Sequence, residues 1–94
     1  MDLKRVSIKV VVRGRVQGVS FRAALQEEAI RSGVEGWVRN RSDGSVEALL
    51  QGDDGAVRKV VEWARLGPPR AEVSDVREEL LTLCPRQTGF RIVT

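Results

Sequence analysis

Val12-Arg13-Gly14-Arg15-Val16-Gln17-Gly18-Val19-Ser20-Phe21-Arg22 joins two stretches of different periodicity. Before it, Val6, Ile8, Val10 and Val12 alternate with Ser7, Lys9 and Val11, the period of a half-buried strand. After it, Phe21, Ala24, Leu25 and Ala29 fall at helical spacing, and Gly33 is placed to stop the helix. A strand, a glycine-bearing loop and a helix in that order aim free backbone N–H groups at one spot. With the helix dipole behind them, these groups suit an anion such as phosphate. Arg22 strengthens the reading. A cation in the first helical turn opposes the dipole and costs a few tenths of a kcal/mol or more, which a bound anion offsets.

Downstream, Gly36-Trp37-Val38-Arg39-Asn40 reads as a second strand and Arg41-Ser42-Asp43-Gly44 as a turn, Asp-Gly being a strong hairpin signal. In a third strand, Val46, Ala48 and Leu50 alternate with Glu47, Leu49 and Gln51. Gly52-Asp53-Asp54-Gly55 breaks the pattern and offers an N-cap aspartate to a helix carrying Val57, Val60, Val61 and Ala64 at i, i+3, i+4 and i+7, which Gly67-Pro68-Pro69 ends. Val73–Leu81 reads as a strand of poor alternation, residues 82–88 as a loop, and Phe90 and Ile92 as a short final strand. The order is β-α-β-β-α-β with a short extra C-terminal strand. It predicts an α+β ferredoxin-like sandwich, an antiparallel sheet with two helices on one face. Phe21, Trp37, Trp63 and Phe90 are expected in the core.

The chain has 94 residues and a net charge of +3, which predicts one domain over 1–94 with a thin core. The sequence shows no signal-peptide pattern and no apolar run near membrane length. The single cysteine, Cys84, excludes an internal disulfide and fits a reducing, cytoplasmic setting. With no histidine and no tyrosine, zinc sites of the usual Cys/His kind and histidine-assisted nucleophiles are excluded. Any chemistry rests on Arg, Lys, carboxylates, amides, hydroxyls and backbone.

Taken singly, these features have plain structural readings. The glycine loop suits a tight connection. Arg22 suits a surface helix residue paired with Gln26 or Glu27. Asn40, the one asparagine of the chain, suits a strand end entering a hairpin. Arg13 and Arg15 read as solvated loop residues, and Cys84 as a bystander.

Taken together, the residues match a family. Val12-x-Gly14-x-Val16-Gln17-Gly18-Val19-x-Phe21-Arg22 resembles the first motif of the acylphosphatases. Gly36-Trp37-Val38-Arg39-Asn40, followed by Asp43-Gly44-x-Val46-Glu47, resembles the second. Gly67-Pro68-Pro69-x-Ala71-x-Val73 and Gly89-Phe90-x-Ile92 also match, so the resemblance spans nearly the whole chain. Ser32 departs from it, standing where similar proteins usually place leucine. The resemblance implies hydrolysis of acyl phosphates to carboxylate and inorganic phosphate, with no metal or cofactor. Phosphate would be held by Arg22 and by the loop residues Gly14, Arg15, Val16, Gln17, Gly18 and Val19, while Asn40 positions the attacking water. The expected partners are a small-molecule acyl phosphate and inorganic phosphate as product and inhibitor, with no nucleic acid and no membrane, the chain acting as a monomer.

Two other functions share features of this sequence. One is a phosphate-binding module without turnover, since similar domains occur within larger carbamoyl-transferring proteins. The other is an RNA-binding sheet of the same element order. That module requires exposed aromatics on its central strands, and the first and third strands here carry none.

Overall fold

A computed structural model describes residues 4–94. Strand β1 (Arg5–Arg15) leads into helix α1 (Phe21–Arg31), hairpin β2 (Glu35–Asn40) and β3 (Val46–Asp53), helix α2 (Asp54–Leu66), and strands β4 (Glu72–Leu81) and β5 (Phe90–Ile92). The sheet order is β4-β1-β3-β2-β5. The four longer strands pair antiparallel, as expected. The extra strand β5 adds beside β2 in parallel, Val38 opposite Ile92, so the complete sheet is mixed.

The alternating valines make the core. Val10 and Val12 of β1, Val38 of β2 and Leu50 of β3 are fully buried on the helix-covered face, with Leu25 and Ala29 of α1 and Val57, Val60 and Ala64 of α2 above them. Fully burying a valine or leucine side chain is worth about 1.5–3 kcal/mol, so these stripes fix which face of each helix turns inward. Phe21 meets Trp63 edge-on at a centroid distance of 5.6 Å, tying the first turn of α1 to α2. Both helix stops form as the sequence predicts, α2 ending where Gly67 N–H bonds the Trp63 carbonyl. Gly33 N–H bonds the Ile30 carbonyl and Val34 N–H the Ala29 carbonyl, a Schellman pair with Gly33 at φ 73°. Ser32 is the C-cap residue. It therefore leaves the helix where leucine would have extended the apolar stripe. Asp53 caps α2 by accepting from Ala56 N–H.

Three expectations are refined. Strand β1 runs three residues beyond Val12. Gly14 lies inside it at a register shift against β4, with φ 123° and so close to β4 that a Cβ would stand 2.2 Å from the Glu72 carbonyl oxygen. Its missing side chain lets two backbones meet there. Trp37 lies on the face away from the helices and is half-buried, not a core residue; Phe21 and Phe90 are buried, and Trp63 packs against the core. The weak alternation of β4 follows from its edge position, paired to β1 alone and largely exposed.

The connection from β4 to β5 is fastened on the open face chiefly by the Gln51 side chain. Gln51 is buried. Its amide nitrogen donates to the Pro85 carbonyl at 2.9 Å and lies 3.4 Å from Cys84 Sγ. Its amide oxygen accepts from Gln87 N–H at 2.7 Å. This clamp delivers the chain to β5 and makes Cys84 a hydrogen-bond acceptor in the fold.

Candidate active site

The strand-to-helix junction and the end of β2 enclose a cleft of about 360 Å³, lined by Val16, Gln17, Gly18, Ser20, Phe21, Arg22, Ala23, Asn40 and Ile92. Gly18 at φ 75° and Ser20 at φ 65° put two left-handed turns into the loop ahead of α1. Such turns swing successive N–H groups to one side and form an anion-binding concavity. Ser20 is the one non-glycine residue with positive φ among the described residues, a strained backbone of the kind that gathers at functional sites. Its side chain caps nothing, and the first turn of α1 holds no acidic residue. Ala24 N–H bonds the Ser20 carbonyl; the N–H groups of Phe21, Arg22 and Ala23 precede the intrahelical ladder and find no acceptor within the helix.

Gln17 holds the loop in place. Its side-chain nitrogen donates to the carbonyls of Arg41 at 2.8 Å and Ser45 at 2.9 Å, at the base of the β2–β3 hairpin. The loop is thereby fixed beside the end of β2, where Asn40 sits opposite Val46. The hairpin is braced in turn by Asp43, which accepts from the Ser45 hydroxyl at 2.5 Å and Ser45 N–H at 2.9 Å. Arg13 and Arg41 each reach Asp43 at 3.8 Å.

Arg22 lines the cleft and makes no ion pair or side-chain hydrogen bond among the described residues. The pairing with Gln26 that a surface role predicts does not form: Gln26 donates instead to the Phe90 carbonyl at 3.0 Å, bridging α1 to β5. Asn40 shows the complementary vacancy in its bonding. Its Oδ1 is the one buried side-chain polar atom without a hydrogen-bond partner among the described residues. An orphaned buried acceptor costs about 1–3 kcal/mol, a cost removed when a donor such as water reaches it. Rotation of the terminal amide is soft enough to allow that.

Of the residues expected at the site, Val16, Gln17, Gly18, Arg22 and Asn40 line one cleft. Val19 is buried behind the loop. Gly14 and Arg15 lie within β1, outside the lining; the Arg15 side chain is largely exposed and faces Glu72 at 3.9 Å. Ser20, Ala23 and Ile92 line the cleft without having been singled out in the sequence. Ser20 and Ala23 flank Arg22 at the loop–helix boundary, a signal that was available. Ile92 had none, because the parallel addition of β5 is what brings it there.

The hairpin under the cleft gives a pH prediction. The Ser45 hydroxyl, then the Ser45 N–H and then the charges of Arg41 and Arg13, hold the Asp43 carboxyl below its ordinary value. Glu35 is lowered chiefly by its hydrogen bond from Arg5, then by Gly89 N–H and by Arg86. A lowered folded-state value means stability that is present above the ordinary carboxylate range and is lost as pH falls through the folded value. Melting temperature should therefore decline on acidification, and Asp43→Asn with Glu35→Gln should flatten that decline. An unchanged acid limb in the double variant would contradict the assignment.

The elements thus form a small α+β sandwich with an anion-suited cleft at a strand–helix junction. A family model described as acylphosphatase matches residues 8–92. The chain is 53% identical over 92 residues to an acylphosphatase of Pyrobaculum islandicum, covering 97% of each. It is 48% identical over 92 residues to one of Sinorhizobium medicae, covering 98% of each. The crystal structure of acylphosphatase from Bacillus subtilis matches with a TM-score of 0.91 at 37% identity, over 95% of this chain and 99% of that one. The chain belongs to the acylphosphatase family, hydrolases acting on phosphorus-containing acid anhydrides.

Proposed function

We propose that the protein hydrolyses the carboxyl–phosphate bond of acyl phosphates, with Arg22 and the 16–20 loop binding the phosphate and Asn40 positioning water. The observation that carries this reading is a pair of unmet needs in one cleft: among the described residues, the Arg22 guanidinium at a helix N-terminus has no ion pair and the buried Asn40 Oδ1 has no donor. Phosphate answers the first. Water answers the second.

The chemistry fits these groups. The conjugate acid of the leaving carboxylate has a pKa of about 4, so it departs as an anion at neutral pH without a general acid. What remains is positioning and charge stabilisation, the main demands of phosphoryl transfer. The N–H groups and Arg22 face the charge on the equatorial oxygens, and the planar guanidinium suits two of them at once. Asn40 accepts from water through Oδ1 while its nitrogen remains a donor to a phosphate oxygen, which holds the nucleophile in line. The water oxygen bonds to phosphorus as the phosphorus–acyl oxygen bond breaks and its electron pair leaves with the carboxylate; one water proton stays on the phosphate product and the other passes to solvent. Gln17 acts through the loop it fastens.

The test is hydrolysis of benzoyl phosphate in the presence of chelator, with inorganic phosphate as inhibitor. Turnover with competitive phosphate inhibition is expected. A folded protein that binds phosphate and turns nothing over would replace the enzyme with a binding module.

A further inference from the structure

Ile92 is a large apolar side chain, 41% exposed, on a three-residue edge strand. It lines the same cleft as Arg22 and Asn40. Its position relative to Asn40 is set by register. Ile92 stands beside Val38 in the parallel β2–β5 pair, and Val93 N–H bonds the Val38 carbonyl at 2.9 Å. Asn40 is two residues beyond Val38 and turns to the same face of the sheet. On the other side of β2 lies the hairpin base to which Gln17 fastens the loop. Asn40 therefore lies between the hairpin base on the β3 side and Ile92 on the β5 side, with α1 packed on β2 and β5.

In-line displacement adds a constraint. If water attacks from the Asn40 side, the acyl oxygen leaves on the far side of phosphorus. The side chain beside Asn40 is then next to the nucleophile and away from the acyl group. We propose that Ile92 is a specificity-determining residue that selects the nucleophile: it walls the attack side of the cleft so that water fits beside Asn40 and larger hydroxyl nucleophiles do not. The inference rests on the acyl phosphatase reading above. Besides the Val93 bond, Gln26 to the Phe90 carbonyl and Gly36 N–H to the Gly89 carbonyl hold the wall in position.

The step with an alcohol balances as hydrolysis does. The methanol oxygen bonds to phosphorus, the phosphorus–acyl oxygen bond breaks, the electron pair leaves with the carboxylate, and the hydroxyl proton passes to solvent. The product is methyl phosphate in place of inorganic phosphate. Attack at the carbonyl would instead give a methyl ester and inorganic phosphate.

The experiment is turnover of benzoyl phosphate and of acetyl phosphate in dilute methanol, with methyl phosphate and inorganic phosphate resolved by phosphorus NMR. Wild type, Ile92→Ala, Ile92→Val and Ile30→Ala are compared. Ile30 is an exposed isoleucine of α1 outside the cleft and serves as the control. The expected result is a methyl phosphate to inorganic phosphate ratio raised on the order of tenfold in Ile92→Ala, nearly restored in Ile92→Val, and equal for the two substrates. An unchanged ratio in a folded Ile92→Ala overturns the proposal. So does a KM that rises with acyl size at a constant ratio, since Ile92 would then contact the acyl group. Failure of the underlying reading looks different: wild type itself would show no hydrolysis of either substrate.

Discussion

Arg22→Ala should lose about 10²-fold or more in kcat/KM for benzoyl phosphate while the protein becomes no less stable. The two halves of this expectation have separate causes. Removing one transition-state donor commonly costs about 10²–10³ in rate. A charge-assisted hydrogen bond to phosphate is worth about 1.5–3 kcal/mol, so inorganic phosphate inhibition should weaken by roughly 10- to 100-fold. Stability should move the other way. Arg22 has no side-chain partner to lose among the described residues, and it sits in the first turn of α1 without an acidic neighbour in that turn. Removing the cation there relieves about 0.3–1 kcal/mol of unfavourable dipole interaction. The loss of activity and the maintained or raised melting temperature, measured without phosphate, belong together. Arg22→Lys should recover only part of the phosphate affinity, because an ammonium keeps the charge and loses the fork. A marked drop in melting temperature for Arg22→Ala would indicate a structural arginine and contradict the assignment.

Asn40→Ala should be the complement: kcat reduced by about 10²–10³-fold, with phosphate inhibition weakened less than in Arg22→Ala. A loss that falls mainly on kcat marks an interaction made chiefly in the transition state, the hold on the water, beyond the one bond from the Asn40 nitrogen to phosphate. Stability should be preserved here too, since the truncation removes a buried acceptor that has no partner among the described residues, and its desolvation cost of about 1–3 kcal/mol goes with it. Asn40→Asp tests the same position by charge. A carboxylate still accepts from water but repels the phosphate, so both kcat and phosphate affinity should fall. Equal activity of Asn40→Ala and wild type would remove Asn40 from the reaction.

Much of this site was legible in the chain because its parts are local. The period change across Val12 to Arg22 marks a strand, a loop and a helix start within eleven residues, and Arg22 at a helix N-terminus is unusual enough to ask for an anion. Gly33, Asp53 and Asp43-Gly44 punctuate the elements by backbone chemistry that acts over a few residues. Less legible were the features that depend on partners far away in sequence. Gly14 looked like a loop glycine, yet its role is set by the approach of Glu72 in β4. Trp37 alternates correctly with Val38, but nothing in its own strand says which face the helices cover. Ile92 reads as one residue of a short final strand until β5 is seen to run parallel to β2 and carry it to the cleft. Gln51 gives no local sign that it fastens a connection more than thirty residues downstream.

The central claim is that water held beside Asn40 attacks phosphorus in the Arg22 cleft. The most direct measurement runs the benzoyl phosphate hydrolysis in water enriched in heavy oxygen and locates the label by mass spectrometry. One labelled oxygen in the inorganic phosphate and none in the benzoate, with formation of both slowed together in Asn40→Ala, is the predicted result. Label in the benzoate would place the attack at the carbonyl carbon and contradict the account.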